Sequence, residues 1–340
     1  MPDKEKQNIF GLSLEALTDI VKQTGGPSYA GRQIAEWLYK HHVSSFAQMT
    51  NLSKKLRDRL SASCEIVCHP PARVQTSSDG TKKYLFPGRG NGFVESAYIP
   101  DGKRHTLCVS SQHGCRMGCR FCMTATMGLH GQLEAGEILN QVRSIPEREL
   151  LTNIVYMGMG EPLDNLEPVL QSLDILTAEW GYAMSPRRIT VSTIGIKGAI
   201  NRFLEESRCN LAISLHSPFA EERQKLVPMA KAHDISEILD TIRAFPIEKQ
   251  RRISFEYIVF KDLNHSPAHV KAISRLLHNI RCRINLIRFH PIPGSDLASP
   301  SLNHLEVFRD ALAAKGLTTT IRKSRGEDID AACGLLSNKH

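Results

Sequence analysis

Six short apolar runs recur along most of the chain, and segments with helical spacing separate them. The runs have the length and composition of buried strands, and they cover residues 107–111, 153–158, 188–193, 210–215, 253–260 and 284–289. The segments between them place apolar residues on one helical face, as in Ile138, Leu139 and Val142. This alternation predicts parallel β/α units with an active site at the carboxyl ends of the strands. Because six units fall short of the eight that close a full barrel, we expect an α/β fold with a partial (β/α)6 barrel, in preference to a doubly wound sheet.

The residues before the first run have two other patterns. Residues 1–68 predict short amphipathic helices that begin after Ser13, Ser28 and Ser53. From Arg73 to Tyr98, short β-prone runs broken by glycine-containing turns predict a hairpin and an adjoining strand. We therefore expect four parts, which are a small N-terminal helical domain (1–68), a β-hairpin bridge (69–100), the barrel (101–325) and a C-terminal tail (326–340).

The composition is that of a globular protein, and 340 residues suffice for one large core or for one core plus a smaller domain. No apolar stretch approaches the roughly 20 residues that cross a bilayer, and the start MPDKEKQN is charged where a signal peptide would be apolar. We therefore expect a cytoplasmic protein with no membrane contact. The formal net charge of +8 would suit a polyanion such as RNA, although many basic enzymes bind no nucleic acid.

Nine cysteines are many for a cytoplasmic protein, in which thiols bind metals or do chemistry more often than they form disulfides. Cys115, Cys119 and Cys122 follow the first barrel strand with the spacing C-x3-C-x2-C. A cubane cluster has four irons, so three cysteines leave one iron open for the amino and carboxylate groups of S-adenosylmethionine. This spacing is that of radical S-adenosylmethionine enzymes, and it predicts a [4Fe-4S] cluster that binds S-adenosylmethionine.

Structural zinc is the competing interpretation of this cysteine loop, with His113 or His105 as a fourth ligand. Four-ligand zinc sites usually pair two separated C-x2-C or H-x3-H units, so we favour the cluster. A second metal-like spacing, Cys64 and Cys68 with His69, lacks a nearby fourth ligand, and we assign it no metal. The residues that we expect to pack in the fold or that have no assigned role are Cys209, Cys282, His290 and His304.

The second predicted barrel strand ends in Gly158-Met-Gly160-Glu161-Pro162. The glycines let the backbone approach a ligand, and Glu161 could hold an ammonium group. Such a sequence alone more often marks only a tight turn. Its place one β/α unit after the cysteine loop favours ligand binding.

Five segments together resemble the RlmN and Cfr family of radical RNA adenine methyltransferases, over nearly the whole chain. They are Thr106–Gln112, the cysteine loop, Gly158–Pro162, Ser214–His216 and Asp330–Gly334. The cysteine loop together with a near-terminal Ala-Ala-Cys333-Gly is far more specific than the loop alone. Pro162 and the segment from Arg322 to Glu327 resemble the RlmN branch, which acts on carbon 2 of adenine. One departure is Leu335, where the family pattern has Gln.

The resemblance implies a methyl relay, because carbon 2 of adenine lacks the nucleophilicity to attack a methylsulfonium. Cys333 would take a methyl group from one S-adenosylmethionine as a thiolate. Reductive cleavage of a second S-adenosylmethionine would remove a hydrogen atom from that methyl, and the carbon would add to adenine carbon 2. Glu95 would remove the carbon-2 proton, and Cys108 would attack the sulfur of Cys333, which frees the product as a disulfide forms.

The resemblance also implies cofactor contacts. These residues are Gly160, Glu161, Ser192, Ser214, Leu215, His216 and Asn285. Most of them fall at the carboxyl ends of predicted strands, whereas Asn285 lies early in its strand and could equally be a buried, hydrogen-bonded amide.

The implied substrates are adenosines in 23S rRNA and in tRNA, and the implied partner is a flavodoxin-like electron-donor protein. We expect the helical domain to handle RNA, because a base must be unstacked before a cluster-bound radical can reach it. The basic residues considered for RNA contact are Lys54, Lys55, Arg57, Arg59, Arg187, Arg188, Lys323 and Arg325.

Two alternative functions stay open at this point. One is a carbon-8 adenosine methyltransferase of 23S rRNA, which shares the cysteines and Glu95 and confers antibiotic resistance. The other is a zinc-bearing RNA-binding module without catalysis.

Overall fold

The computed structural model describes residues 6–88, 92–247 and 251–337. The first five residues of the predicted helical domain and the last three of the predicted tail lie outside the described residues. The described chain is an α/β fold in which a helical N-terminal segment precedes one large mixed sheet flanked by helices.

The elements are numbered in chain order. The strands are β1 (Gln7–Asn8), β2 (Cys64–Glu65), β3 (Arg73–Thr76), β4 (Lys82–Pro87), β5 (Phe93–Asp101), β6 (Arg104–Val109), β7 (Gln112–Cys115), β8 (Gly128–Gln132), β9 (Asn153–Tyr156), β10 (Ile189–Thr193), β11 (Asn210–Ser214), β12 (Ile253–Val259), β13 (Cys282–Arg288) and β14 (Thr319–Arg322). The α-helices are α1 (Leu14–Gln23), α2 (Ala30–Tyr39), α3 (Lys54–Ser63), α4 (Met123–Thr126), α5 (Ala135–Arg143), α6 (Leu166–Thr177), α7 (Ala199–Glu206), α8 (Ala220–Leu226), α9 (Ile235–Ala244), α10 (Pro267–Leu276) and α11 (Leu302–Ala313).

Ten strands form one sheet in the order β14-β13-β12-β11-β10-β9-β6-β5-β4-β3. The strands from β6 through β9 to β14 run parallel, with helices between them, which is the architecture of a partial barrel. All six predicted strands are present, and β14 adds a seventh parallel strand that the six predicted units do not include. The predicted hairpin is also present, since β3, β4 and β5 continue the sheet as antiparallel neighbours of β6.

The starts of the N-terminal helices follow local capping chemistry. Ser13 and Ser53 cap α1 and α3, as their positions in the sequence predict, because each side chain accepts a hydrogen bond from a first-turn amide. Helix α2 instead begins after Tyr29, one residue later than Ser28 indicated, and it has no side-chain cap. Strands β1 and β2 pair in parallel and join the beginning of this segment to its end.

A close backbone contact docks the helical segment on the barrel. A Cβ atom on Gly11 would lie 2.3 Å from the Cα of Gly136 in α5, so only glycines permit this approach. Beside it, Arg143 of α5 donates to the carbonyl of Val43 at 2.7 Å and stacks 5.0 Å from the ring centre of Phe10. The helical segment and the barrel share one continuous apolar core.

Side chains on the parallel strands alternate between two environments, because successive residues of a strand point to opposite faces. On β12, Ile253, Phe255 and Tyr257 belong to the apolar core, while Ser254 and Glu256 line a cavity inside the barrel. The barrel is therefore apolar under its helices and partly polar within. Among the described helices, none has the length and apolar character to span a membrane.

The last described residues, 323–337, form a segment that we call the C-terminal strap. It leaves β14 at one edge of the parallel strands and contacts the hairpin beyond the other edge. Ser77 Oγ donates to Asp328 at 2.5 Å, Gly326 N donates to Asp79 at 3.0 Å, and Arg325 pairs with Asp101 at 2.6 Å. The strap thus bridges the open side of the partial barrel.

Substitution of a buried and of an exposed leucine should affect the free energy of unfolding to different extents. Leu211 on β11 is fully buried in the apolar core, and Leu211→Ala should lower the free energy of unfolding by about 2–5 kcal/mol because it leaves a cavity. Leu150→Ala is the matched control, since Leu150 is 54% exposed, and it should cost far less. Urea unfolding followed by circular dichroism measures both, and equal losses would contradict the assigned core.

Candidate active site

A cavity of about 390 Å³ occupies the interior of the partial barrel. Cys108 of β6, Cys122 of the cysteine loop, Cys333 of the strap and Asn285 of β13 all line it. Its volume falls within the range of small-molecule sites, roughly 300–1,000 Å³. The fold therefore brings together residues that lie far apart in the sequence.

The cysteine loop connects the end of β7 to the start of α4. Gly118 takes a φ of +68° within it, a conformation that favours glycine. The three cysteines pack in one apolar cluster with Phe121 and with barrel residues such as Phe260. The loop thus presents its thiols on an apolar surface at the carboxyl ends of the strands.

The electrostatics of the three thiols fit a cationic inorganic centre. Burial raises the pKa of Cys115 to about 12, and it also raises the pKa of Cys122. Burial and then the proximity of the other two cysteines raise the pKa of Cys119. Thiolates in such a setting need positive charge beside them, which the irons of a cluster supply. Within the described residues, no group of three or more His, Cys, Asp and Glu side chains surrounds a single ion position.

The two histidines considered as zinc ligands have other contacts. His105 lies near the start of β6, at the end away from the cysteine loop, and its Nδ1 is 2.6 Å from the Tyr98 hydroxyl. The ring of His113 packs so closely against Gly88 that a Cβ there would lie 1.8 Å from it. These placements favour the cluster over zinc.

The turn after β9 packs directly on β7. Gly160 has a φ of +99°, and a Cβ on it would lie 2.6 Å from the side chain of Gln112. The Gln112 side chain accepts a hydrogen bond from Glu161 N at 2.7 Å. The carboxylate of Glu161 accepts from Leu163 N at 3.1 Å and from Ile194 N at 2.9 Å. Glu161 thus joins the ends of β9 and β10, a structural role that sequence reasoning did not include.

The cofactor residues predicted on β10 and β11 lie at the carboxyl ends of those strands. Ser192 and Ser214 are half-buried, and Leu215 is buried. His216 has a φ of +56°, its Nδ1 accepts from Ile258 N at 3.0 Å, and burial lowers its pKa to about 3. Its neutral ring meets the ring of Phe121 edge-on at 4.7 Å, which connects this turn to the cysteine loop. These residues and Glu161 do not line the 390 Å³ cavity.

Asn285 lies in the middle of β13 and belongs to a polar network inside the barrel. Its Nδ2 donates to Glu256 Oε1 at 2.8 Å, and its Oδ1 accepts from Thr320 at 2.9 Å. Glu256 is buried, and its Oε2 has no hydrogen-bond partner among the described residues. An unpaired buried oxygen in a cavity is a place for a ligand donor. The sequence analysis did not identify Glu256 and Thr320. The pattern that could have indicated them is a polar residue at alternating positions of an otherwise apolar strand.

Glu95 on β5 is buried, at 2% exposure, although read alone in the sequence it would be an exposed carboxylate. Its Oε2 accepts from Ser337 N of the strap at 2.9 Å, and its Oε1 lies 3.3 Å from Lys83 Nζ. The strap that carries Cys333 therefore touches the predicted proton acceptor directly.

Cys108 and Cys333 line the same cavity and interact electrostatically. Burial first, and then Cys333, raises the pKa of Cys108 to about 12. Arg322 on β14 lines the same cavity as both cysteines. Cys333 is the main influence that raises the pKa of Arg322, and Glu256 and Cys108 also raise it, while burial lowers it. All nine cysteines are free in this structure. Arg322 was not among the predicted site residues.

Among the residues that the structure describes, the remaining cysteines and histidines form no group that could hold a metal ion. Cys64 and Cys209 are buried in the core, and Cys68 and Cys282 pack against it. His290 Nε2 is 2.9 Å from Ser324 Oγ of the strap, and His290 lines the cavity.

Comparison with known proteins agrees with this architecture. A radical SAM methyltransferase from Sphaerobacter thermophilus has a solved structure that matches 97% of this chain and 99% of its own, with a TM-score of 0.89 and 38% identity. Residues 109–272 match the Radical SAM superfamily, and residues 7–66 match the Ribosomal RNA large subunit methyltransferase N-terminal domain. The fold and the site therefore define a radical S-adenosylmethionine enzyme, and the predicted fold class is confirmed.

Curated relatives share a higher sequence identity with this chain than that solved structure does. A protein of Bacteroides thetaiotaomicron named probable dual-specificity RNA methyltransferase RlmN is 53% identical over 98% of this chain and 96% of its own length. A dual-specificity RNA methyltransferase RlmN of Syntrophus aciditrophicus is 42% identical over 98% of this chain and 97% of its own length. The chain belongs to the RlmN family of radical S-adenosylmethionine methyltransferases. Its cofactors are a [4Fe-4S] cluster and S-adenosylmethionine.

The cofactor role predicted for Glu161 would make the affinity for S-adenosylmethionine depend on pH. Burial raises its pKa to about 7, so below that pH the carboxyl is protonated and cannot pair with the ammonium of S-adenosylmethionine. Affinity should therefore rise as the pH increases through about 7, by up to about tenfold for each pH unit, and then level off. Equilibrium dialysis of the reconstituted holoenzyme measures this, and Glu161→Gln should abolish the dependence.

The matched control is Glu167→Gln, which removes an exposed carboxylate paired with Arg202. It should leave the pH dependence intact. Affinity of the unsubstituted enzyme that does not change between pH 6 and pH 8 would contradict the assignment of Glu161.

Proposed function

We propose that this protein methylates carbon 2 of an adenosine in 23S rRNA and in tRNA. The relatives described above carry the name dual-specificity RNA methyltransferase. The structural observation that best supports the proposal is that Cys108, Cys122 and Cys333 line one cavity. Cys333 on the strap can then react both with a ligand held at the cysteine loop and with the thiol of Cys108.

The proposed relay begins at Cys333. When bound, the cluster and S-adenosylmethionine supply an electrophilic methyl group and, after reductive cleavage, a radical that abstracts hydrogen. Cys333 accepts the methyl group, a step that requires a thiolate. Arg322 and Cys333 line the same cavity, and the Coulombic interaction with Cys333 raises the pKa of Arg322.

Glu95 and Cys108 complete the proposed relay. Glu95 takes the carbon-2 proton from the adenine to which the Cys333-bound carbon is attached, and the electron pair of the broken C–H bond stays with the adenine. The unpaired electron of this adduct must leave as well, and the cluster, when bound, would take it up. Cys108 then attacks the sulfur of Cys333, so that a disulfide bond forms, the bond from sulfur to the transferred carbon breaks and that carbon takes a proton. An external thiol reductant resets the two cysteines. A flavodoxin-like protein is the proposed electron donor to the cluster.

The helical segment is proposed to handle RNA. On α3, Arg57 donates to the carbonyl of Ala47 at 2.6 Å and Arg59 to that of Thr24 at 3.0 Å, so both guanidinium groups also stabilise neighbouring turns. Lys54 and Lys55 are exposed. Lysines with free ammonium groups are suited to phosphate contact, so α3 fits an RNA backbone through these two residues.

The four-part division of the chain stays part of the proposal. The helical part (1–68), the hairpin part (69–100), the barrel (101–325) and the tail (326–340) would each have one task. These tasks are RNA docking, support of Glu95, cofactor binding and transport of the methyl carbon.

Mass spectrometry of nucleosides tests the proposal against its two alternatives. RNA from cells that lack this protein should lose 2-methyladenosine from 23S rRNA and tRNA, and re-expression should restore it. Appearance of 8-methyladenosine instead would assign the carbon-8 reaction. Anaerobically purified protein with stoichiometric zinc and no iron would assign the zinc module.

Substitution of the two relay cysteines should block different steps. Cys333→Ala should abolish RNA methylation, while S-adenosylmethionine is still cleaved. Cys108→Ala should trap the RNA on Cys333 as a covalent adduct, because no thiol can attack the sulfur. Denaturing gel electrophoresis with labelled RNA detects the adduct.

The control for these variants is Cys282→Ala, since Cys282 is half-buried at the start of β13 and does not line the barrel cavity. It should methylate RNA and release it normally. Full methylation by Cys333→Ala would remove that residue from the mechanism.

A further inference from the structure

Lys83 places a positive charge against the proposed proton acceptor. Its Nζ lies 3.3 Å from Glu95 Oε1, and the two side chains are 8% and 2% exposed. The antiparallel register aligns Lys83 with Ala97 and Leu85 with Glu95, so Lys83 reaches Glu95 diagonally on the same face of the sheet. A lysine is rarely buried without a partner, because an unpaired buried ammonium is costly. The pair is therefore a specific feature of this site.

We propose that Lys83 is the positioning residue for Glu95, and that it holds Oε1 so that Oε2 is the oxygen that takes the carbon-2 proton. This inference rests on the proposed function and deepens it. Both oxygens of Glu95 then have separate tasks.

The backbone around Glu95 is fixed, which leaves its side chain to be oriented by its partners. Ser110 Oγ donates to the carbonyl of Glu95 at 2.5 Å, and Glu95 N donates to the sulfur of Met159 at 3.3 Å. Lys83 then fixes the carboxylate itself. A base held in this way loses little orientational freedom when the substrate arrives.

The second oxygen of Glu95 is covered by the strap. Oε2 accepts from Ser337 N at 2.9 Å, and Ser337 lies four residues after Cys333. A substrate that approaches Oε2 meets the strap at this oxygen, whereas the contact with Lys83 does not have to change. The strap and the substrate thus share the oxygen that takes the proton.

The neighbouring residue Lys82 provides a matched control. It lies on the same strand and pairs with Glu147 at 2.6 Å. Lys82→Met and Lys83→Met thus make the same change in composition and each break one ion pair. Only the second pair includes the proposed base.

The first experiment uses RNA with deuterium at carbon 2 of the target adenosine. Lys83→Met should slow methylated product by at least about tenfold and raise the deuterium isotope effect, since proton removal becomes rate-limiting. Lys83→Arg should restore most of the rate, and Lys82→Met should change neither quantity. An isotope effect in Lys83→Met equal to that of the unsubstituted enzyme overturns the proposal.

The second experiment needs no RNA and no cofactor. Infrared spectra of full-length protein with carboxyl-labelled glutamate are recorded, and the Glu95 band is assigned by its loss in Glu95→Gln. The band should shift in Lys83→Met and stay in place in Lys82→Met, and an unshifted band in Lys83→Met overturns the proposal. A protein that shows the shift but makes no 2-methyladenosine refutes the proposed function and leaves the pairing of Lys83 with Glu95 supported.

Discussion

The rest of the site depends on the way the C-terminal strap crosses the open side of the barrel. Asp328, Gly326 and Arg325 attach it to the hairpin, and Ser337 attaches it to Glu95. Hydrogen bonds to charged groups are stronger than those between neutral groups, and exposed ion pairs contribute little. Such contacts hold Cys333 in the cavity, yet they can break one at a time without unfolding the barrel. A thiol that serves successive reactions requires this combination.

The polar interior of the barrel is the second constraint. Glu256, Asn285 and Thr320 form a hydrogen-bonded chain, and one oxygen of Glu256 has no partner in the part of the chain that the structure describes. Burial of a polar group without a partner is unfavourable, so a well-packed apolar interior would give a more stable fold. The alternation that places Ile253, Phe255 and Tyr257 on the outer face makes these polar positions available for ligands inside.

Local chemistry made much of the fold predictable from the sequence. Two of the three predicted serine caps, the glycine turn of the hairpin and the long apolar runs act over a few residues, and the structure has them where the sequence indicates. The third cap, at Ser28, was wrong, since α2 begins after Tyr29. Strand β14 has only four residues, too short a signal to separate from a loop. The contact of Lys83 with Glu95 depends on strand register, and that of Ser337 with Glu95 joins residues 242 positions apart. No local pattern specifies either contact. The roles of the individual site residues stay predictions.

The central claim is that the transferred carbon passes through Cys333 as a methyl group that loses one hydrogen atom before it reaches RNA. The most direct measurement supplies S-adenosylmethionine whose methyl group carries only deuterium, and it weighs the methyladenosine by mass spectrometry. The relay predicts a product methyl with two deuterium atoms and one hydrogen. A product that retains all three deuterium atoms would show direct transfer of an intact methyl group and would contradict the account.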